Sequence, residues 1–118
     1  MAVTIFHNPR CSKSRQTLAL LEETGVTPEI ILYLETPPTP ATLGTLQREL
    51  GFGSIREMMR VKEAVYRELG LSDEGSEDAL AEAMSANPIL IERPIVTKDG
   101  RAVIGRPPEN VLDLLEMR

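Results

Sequence analysis

The sequence predicts an α/β fold, a four-stranded mixed sheet flanked by helices, in the order β-α-β, helical insertion, β-β-α. Three observations predict it. A β-branched run, a helical pattern and a second apolar run follow one another within the first 34 residues, as in a parallel βαβ unit. Helical spacings then recur through the middle of the chain with no strand pattern between them. Near the C-terminus, two short apolar runs flank Lys98-Asp99-Gly100, a hairpin signal, and a last helical pattern comes after them.

The first strand is "VTIFH" (Val3–His7). It is β-branched and is ended by the turn signal Asn8-Pro9, so it reads as a buried strand. From Ser12 to Glu23, Leu18, Ala19 and Leu21 recur at helical spacing, and Gly25 stops the helix. "EIILYL" (Glu29–Leu34) is the second strand, reached by a right-handed crossover. The proline-rich "ETPPTPAT" punctuates the chain. Within it, Thr39 suits an N-cap and Pro40 the first helical position.

Helical patterns on Leu43, Leu46 and Leu50, on Ile55, Met58 and Met59, on Val65 and Leu69, and on Leu80, Ala83 and Met84 fill the insertion at about 39–87. Gly51, Gly53, Gly70 and Gly75 separate them. The last helix starts near Pro108, with Val111, Leu112, Leu114 and Leu115 on its apolar side. The whole, residues 1–118, is expected to be one domain.

Composition narrows the function. Apolar residues make up 42% of the 118, enough for one modest core. With no tryptophan, that core must be mainly aliphatic. A net charge of −5 argues against a nucleic-acid partner, which favours a basic face. No apolar run approaches the ~20 residues of a membrane span, and the first residues lack a signal layout, so a cytoplasmic protein with no membrane partner is expected. A lone cysteine makes no internal disulfide and fits a reducing compartment.

That cysteine, Cys11, stands four residues after the only histidine, His7, in "FHNPRCSKSRQTL". It falls after a strand-ending turn, at the N-terminus of the first helix, where free N–H groups and the helix dipole favour an anion. His7, Arg10 and Arg15 are candidate cationic neighbours. Together these make a setting for a nucleophilic thiolate. Against this stands the plainer reading of a small buried hydrophobe. His7 likewise has two readings, a structural hydrogen bond at the strand end or a catalytic part in lowering the Cys11 pKa. In "CSKS", Ser14 replaces the second cysteine of a dithiol motif, so any oxidised intermediate must be resolved by an outside thiol. A phosphatase loop would need arginine six residues after the cysteine, where Thr17 stands. One histidine and one cysteine make a poor metal set, so neither a metal nor a bound cofactor is expected.

"HNPRCSKSRQTL", "ILYLETPP", "NPILIERPIV" and "GRPPENVLDLL", in that order over essentially the whole chain, resemble the single-cysteine, ArsC-like arsenate reductases that use glutathione and glutaredoxin. The chain ends soon after the last helix, like a shorter chromosomal branch of that family. The resemblance implies a thioredoxin-like fold with a helical insertion between its second and third strands. It implies that Cys11 is the nucleophile and that Arg60, Arg93 and Arg106 bind the substrate oxyanion. It also implies a cis bond from Arg93 to Pro94. A guanidinium suits such a place, because it keeps its charge and offers paired donors to a tetrahedral oxyanion.

The expected partners are then arsenate, glutathione as co-substrate, and glutaredoxin, which removes the glutathione from Cys11. The protein is expected to act as a monomer. The competing readings are a non-catalytic thioredoxin-like regulator of RNA polymerase and a thiol-dependent reductase of another substrate. Ser14 and the three arginines argue against the regulator, which typically carries a dithiol switch.

Overall fold

The structure, a computed structural model, describes residues 2–116. Its backbone packs as two compact units. One runs to Thr36 and resumes at Arg93, and the other is Pro37–Glu92.

The first unit holds the sheet. Strands β1 (Val3–His7), β2 (Glu29–Leu32), β3 (Ile95–Lys98) and β4 (Arg101–Ile104) lie in the order β2-β1-β3-β4. β1 runs parallel to β2 and antiparallel to β3, and β3 and β4 are antiparallel. This is the expected four-stranded mixed sheet of a thioredoxin-like fold. Helix α1 (Ser12–Glu23) makes the crossover, and α5 (Asn110–Glu116) closes the unit. Val3 and Ile5 of β1 and Val96 of β3 pack with Leu21 of α1 and with Val111 and Leu114 of α5. Each such aliphatic burial is worth about 1.5–3 kcal/mol.

The hairpin turns on Asp99 and Gly100, at φ 52° and 81°. Both are left-handed, as a two-residue type I′ turn requires, and Asp-Gly tolerates this. Beyond the hairpin, the peptide bonds Arg93–Pro94 and Arg106–Pro107 are both cis. Only the first was expected.

Two boundaries differ from the sequence reading. β2 stops at Leu32 rather than Leu34, because the N–H groups of Glu35 and Thr36 both turn back to the Leu32 carbonyl, at 2.9 and 2.8 Å. It is also an edge strand, with Ile30 46% exposed. The last helix begins at Asn110, two residues after Pro108.

The second unit contains the helical insertion. α2 (Pro40–Leu50) starts as expected, with Thr39 as N-cap and Pro40 in its first turn. Ile55–Met58 forms a 3₁₀ turn instead of an α-helix. Ser54 and Glu57 close a capping box on it, and Met59 then extends to bridge Ile91. Tertiary pairing has overridden the helical spacing there. α3 (Ala64–Glu68) is short, and α4 (Glu77–Ala86) is capped by Ser76. Arg56 ties the unit together from inside, donating to the Tyr66 hydroxyl and to the carbonyls of Leu71 and Glu74. Among the described residues, no helix is long and apolar enough to cross a membrane.

Candidate active site

The turn between β1 and α1 is built by Asn8. Its Oδ1 accepts from the Arg10 N–H at 3.0 Å, and its carbonyl accepts from the Cys11 N–H at 3.0 Å. This Asx turn delivers Cys11 to the N-cap of α1 in an extended conformation. The thiol is half-buried. Its burial pushes the pKa up. The backbone N–H of Ser14, the Arg93 guanidinium, the backbone N–H of Lys13 and the Arg106 guanidinium act the other way, and the net result is a thiol below its ordinary value.

The cations come from the far end of the chain. Nη1 of Arg106 lies 3.9 Å from Cys11 Sγ. The hairpin explains how Arg93 and Arg106 arrive. β3 and β4 pair side by side, and just beyond them the Gly105 N–H donates to the Pro94 carbonyl at 2.9 Å. The residues flanking this bond are therefore brought to one end of the sheet, where α1 begins. Of the positive charges that neighbour Cys11 in sequence, Arg15 is turned to the Pro9 carbonyl, to which it donates at 2.9 Å.

His7 is buried at the end of β1. Its Nδ1 lies 2.7 Å from the Ser14 hydroxyl, which also accepts from the Asn8 N–H at 3.0 Å. Burial, with a smaller effect from Arg15, lowers the His7 pKa, so the ring is neutral at pH 7. A neutral ring hydrogen-bonded to Ser14 adds no positive charge beside Cys11. Arg60 belongs to the second unit, where its backbone N–H donates to the Leu90 carbonyl at 2.8 Å. Its guanidinium pairs with Glu63 at 2.7 Å.

The model of the ArsC family matches residues 6–114. The chain belongs to the ArsC family. A relative in Escherichia coli K12, the uncharacterized protein YfgD, is 60% identical over 96% of each chain. A protein named arsenate reductase in Neisseria meningitidis serogroup A is 51% identical over 92% of this chain and 94% of its own. The solved structure of an arsenate reductase from Vibrio cholerae superposes with a TM-score of 0.93 at 55% identity, covering 96% of this chain and 97% of that one.

Several residues of this ArsC site carry no signal in the sequence. Ser14 reads as a missing second cysteine or a cap, yet it is fully buried and joins β1 to the turn. Thr17 lies inside as well, its hydroxyl 2.8 Å from the Lys13 carbonyl and 3.2 Å from that of Gly105. Glycine is the residue type that fits position 105. A Cβ on Gly105 would stand 2.6 Å from Thr17 Oγ1 and 3.0 Å from Pro94 Cγ. Its position in "GRPP" is the one available hint. Among the described residues, no group of three or more His, Cys, Asp and Glu side chains is placed to hold a metal.

Proposed function

We propose that the protein reduces arsenate to arsenite, with Cys11 as the nucleophile, glutathione as the reducing co-substrate and glutaredoxin as the protein that regenerates the thiol. The observation that carries this reading is the lowered thiol of Cys11 at a helix N-terminus, 3.9 Å from the Arg106 guanidinium and within the field of Arg93. A thiolate that must attack an anion meets repulsion, and two guanidinium groups offset it while offering donors to the oxyanion. Relatives along the whole chain bear the name arsenate reductase, which supports the same substrate.

The Cys11 thiolate attacks arsenic(V), an S–As bond forms, and an As–O bond breaks with its oxygen leaving as water after protonation. A glutathione thiolate then attacks Cys11 Sγ. The S–S bond forms and the S–As bond breaks, its electron pair passing to arsenic, which departs as arsenite. A glutaredoxin thiol takes the glutathionyl group by disulfide exchange and frees the Cys11 thiolate. A cleft of about 290 Å³ lies beside the turn that leads to Cys11, bordered by His7 to Arg10 and by Leu32, Leu34 and Glu35.

The test is arsenate-dependent NADPH oxidation coupled through glutathione reductase and glutaredoxin. Turnover that needs arsenate, glutathione and Cys11 supports the reading. A wild-type protein that alkylates rapidly at Cys11 but shows no arsenate-dependent oxidation would refute arsenate as the substrate.

A further inference from the structure

Arg106 is exposed, so its side-chain packing does little to hold it over the sulfur of Cys11. What is fixed is its backbone. The Arg106 N–H donates to the Ile104 carbonyl at 2.9 Å, and the Gly105 N–H is held by Pro94. The remaining restraint comes from Asn110, the first residue of α5. Its carboxamide Nδ2 lies 3.1 Å from the Ile104 carbonyl and 3.3 Å from the Arg106 carbonyl. Both partners are acceptors, so only the NH₂ end of the amide suits this position. Its two protons reach carbonyls on either side of Gly105. The Asn110 main-chain N–H also donates to the Pro107 carbonyl at 3.1 Å. Asn110 thus brackets the whole turn from Ile104 to Pro107, and no other neutral side chain of this length brings two donors.

We propose that Asn110 is a positioning residue for the Cys11 thiolate, its carboxamide pinning the turn that carries Arg106 against the sulfur. It touches neither the sulfur nor a substrate and acts through Arg106. The proposal rests on reading Cys11 as the reactive thiolate, whichever oxyanion that thiolate meets.

The test is the alkylation rate of Cys11 against pH in the wild type, Asn110→Ala, Arg106→Ala and the double variant, each checked by a thermal melt. In Asn110→Ala, alkylation below the wild-type midpoint should slow by up to about threefold, and by no more than in Arg106→Ala. In the Arg106→Ala background the same change should add almost nothing, because the group through which Asn110 acts is gone. Wild-type alkylation in Asn110→Ala, or losses that multiply in the double variant, would overturn the proposal. Should Asn110→Ala not fold, Asn110→Ser keeps one donor and is read in the same cycle, with an intermediate slowing expected. No arsenate is used, so a failure of the arsenate reading leaves this result standing, and the reverse also holds.

Discussion

The hydroxyl of Ser14 lies 2.7 Å from Nδ1 of His7, with both side chains out of solvent. The same hydroxyl accepts from the Asn8 N–H, so it joins the end of β1, the turn before Cys11 and the first turn of α1. Burial holds His7 neutral. Its folded pKa lies below the ordinary value of 6.5, and unfolding restores that value. The unfolded chain therefore binds the extra proton first. His7's contribution to stability should be complete above about pH 6.5 and fade as pH falls from there toward the lower folded pKa. Chemical denaturation between about pH 5 and 7.5 should show this slope in the wild type and not in His7→Gln. An identical slope in both would assign it to other groups.

Arg106 should split into two measurable roles. Arg106→Ala should raise the Cys11 pKa and cut arsenate kcat/KM roughly ten- to hundredfold, the loss expected for one charged hydrogen bond to an oxyanion. Arg106→Lys keeps the charge but loses the paired donors. It should leave the alkylation midpoint near wild type while turnover stays clearly impaired. A lysine variant with normal kinetics would reduce Arg106 to a point charge.

Arg60 should behave differently. The charges that lower the Cys11 thiol come from Arg93 and Arg106, so Arg60→Ala should leave the alkylation midpoint unchanged. If Arg60 binds the oxyanion, kcat/KM for arsenate should still fall roughly tenfold or more. In that case its ion pair with Glu63 would compete with the oxyanion, and Glu63→Gln should lower the arsenate KM. Unaltered kinetics in Arg60→Ala would return that residue to a purely structural pair.

Gly105 has no room for a side chain. Gly105→Ala should destabilise the protein by about 1–3 kcal/mol through overpacking against Thr17 and Pro94. Adding Thr17→Ala removes the nearer obstacle, so the double variant should be more stable than the sum of the single losses predicts. Urea denaturation of the four proteins measures the coupling, and strict additivity would mean that the contact is not what excludes alanine.

The legible parts of the molecule are those written in local pattern. β1, α1, the Thr39-Pro40 helix start and the Asp99-Gly100 hairpin each carry their determinants within a few residues, and the structure has them at those places. The parts that are not legible depend on segments meeting. Ile55–Met58 has helical spacing but is too short, and the next residue, Met59, pairs with Ile91. Ser14, Thr17, Gly105 and Asn110 hold the site by contacts with no periodicity to announce them. The residues beside Cys11 in sequence suggest its charged neighbours, whereas Arg93 and Arg106 reach it through the sheet.

Cys11 and Arg106 stand 95 residues apart, and β1 pairs with a strand that begins at Ile95. A ribosome adding about 5–20 residues per second needs roughly 5–20 s to go from one to the other. For most of that interval α1 can supply its N–H groups, but Arg93 is added only near its end and Arg106 at its close. The nascent chain therefore carries a thiol that has the helix N–H groups but not the cations. The electrostatic setting of the sulfur is therefore completed late in synthesis, once the segments that carry Arg93 and Arg106 have been added and have paired.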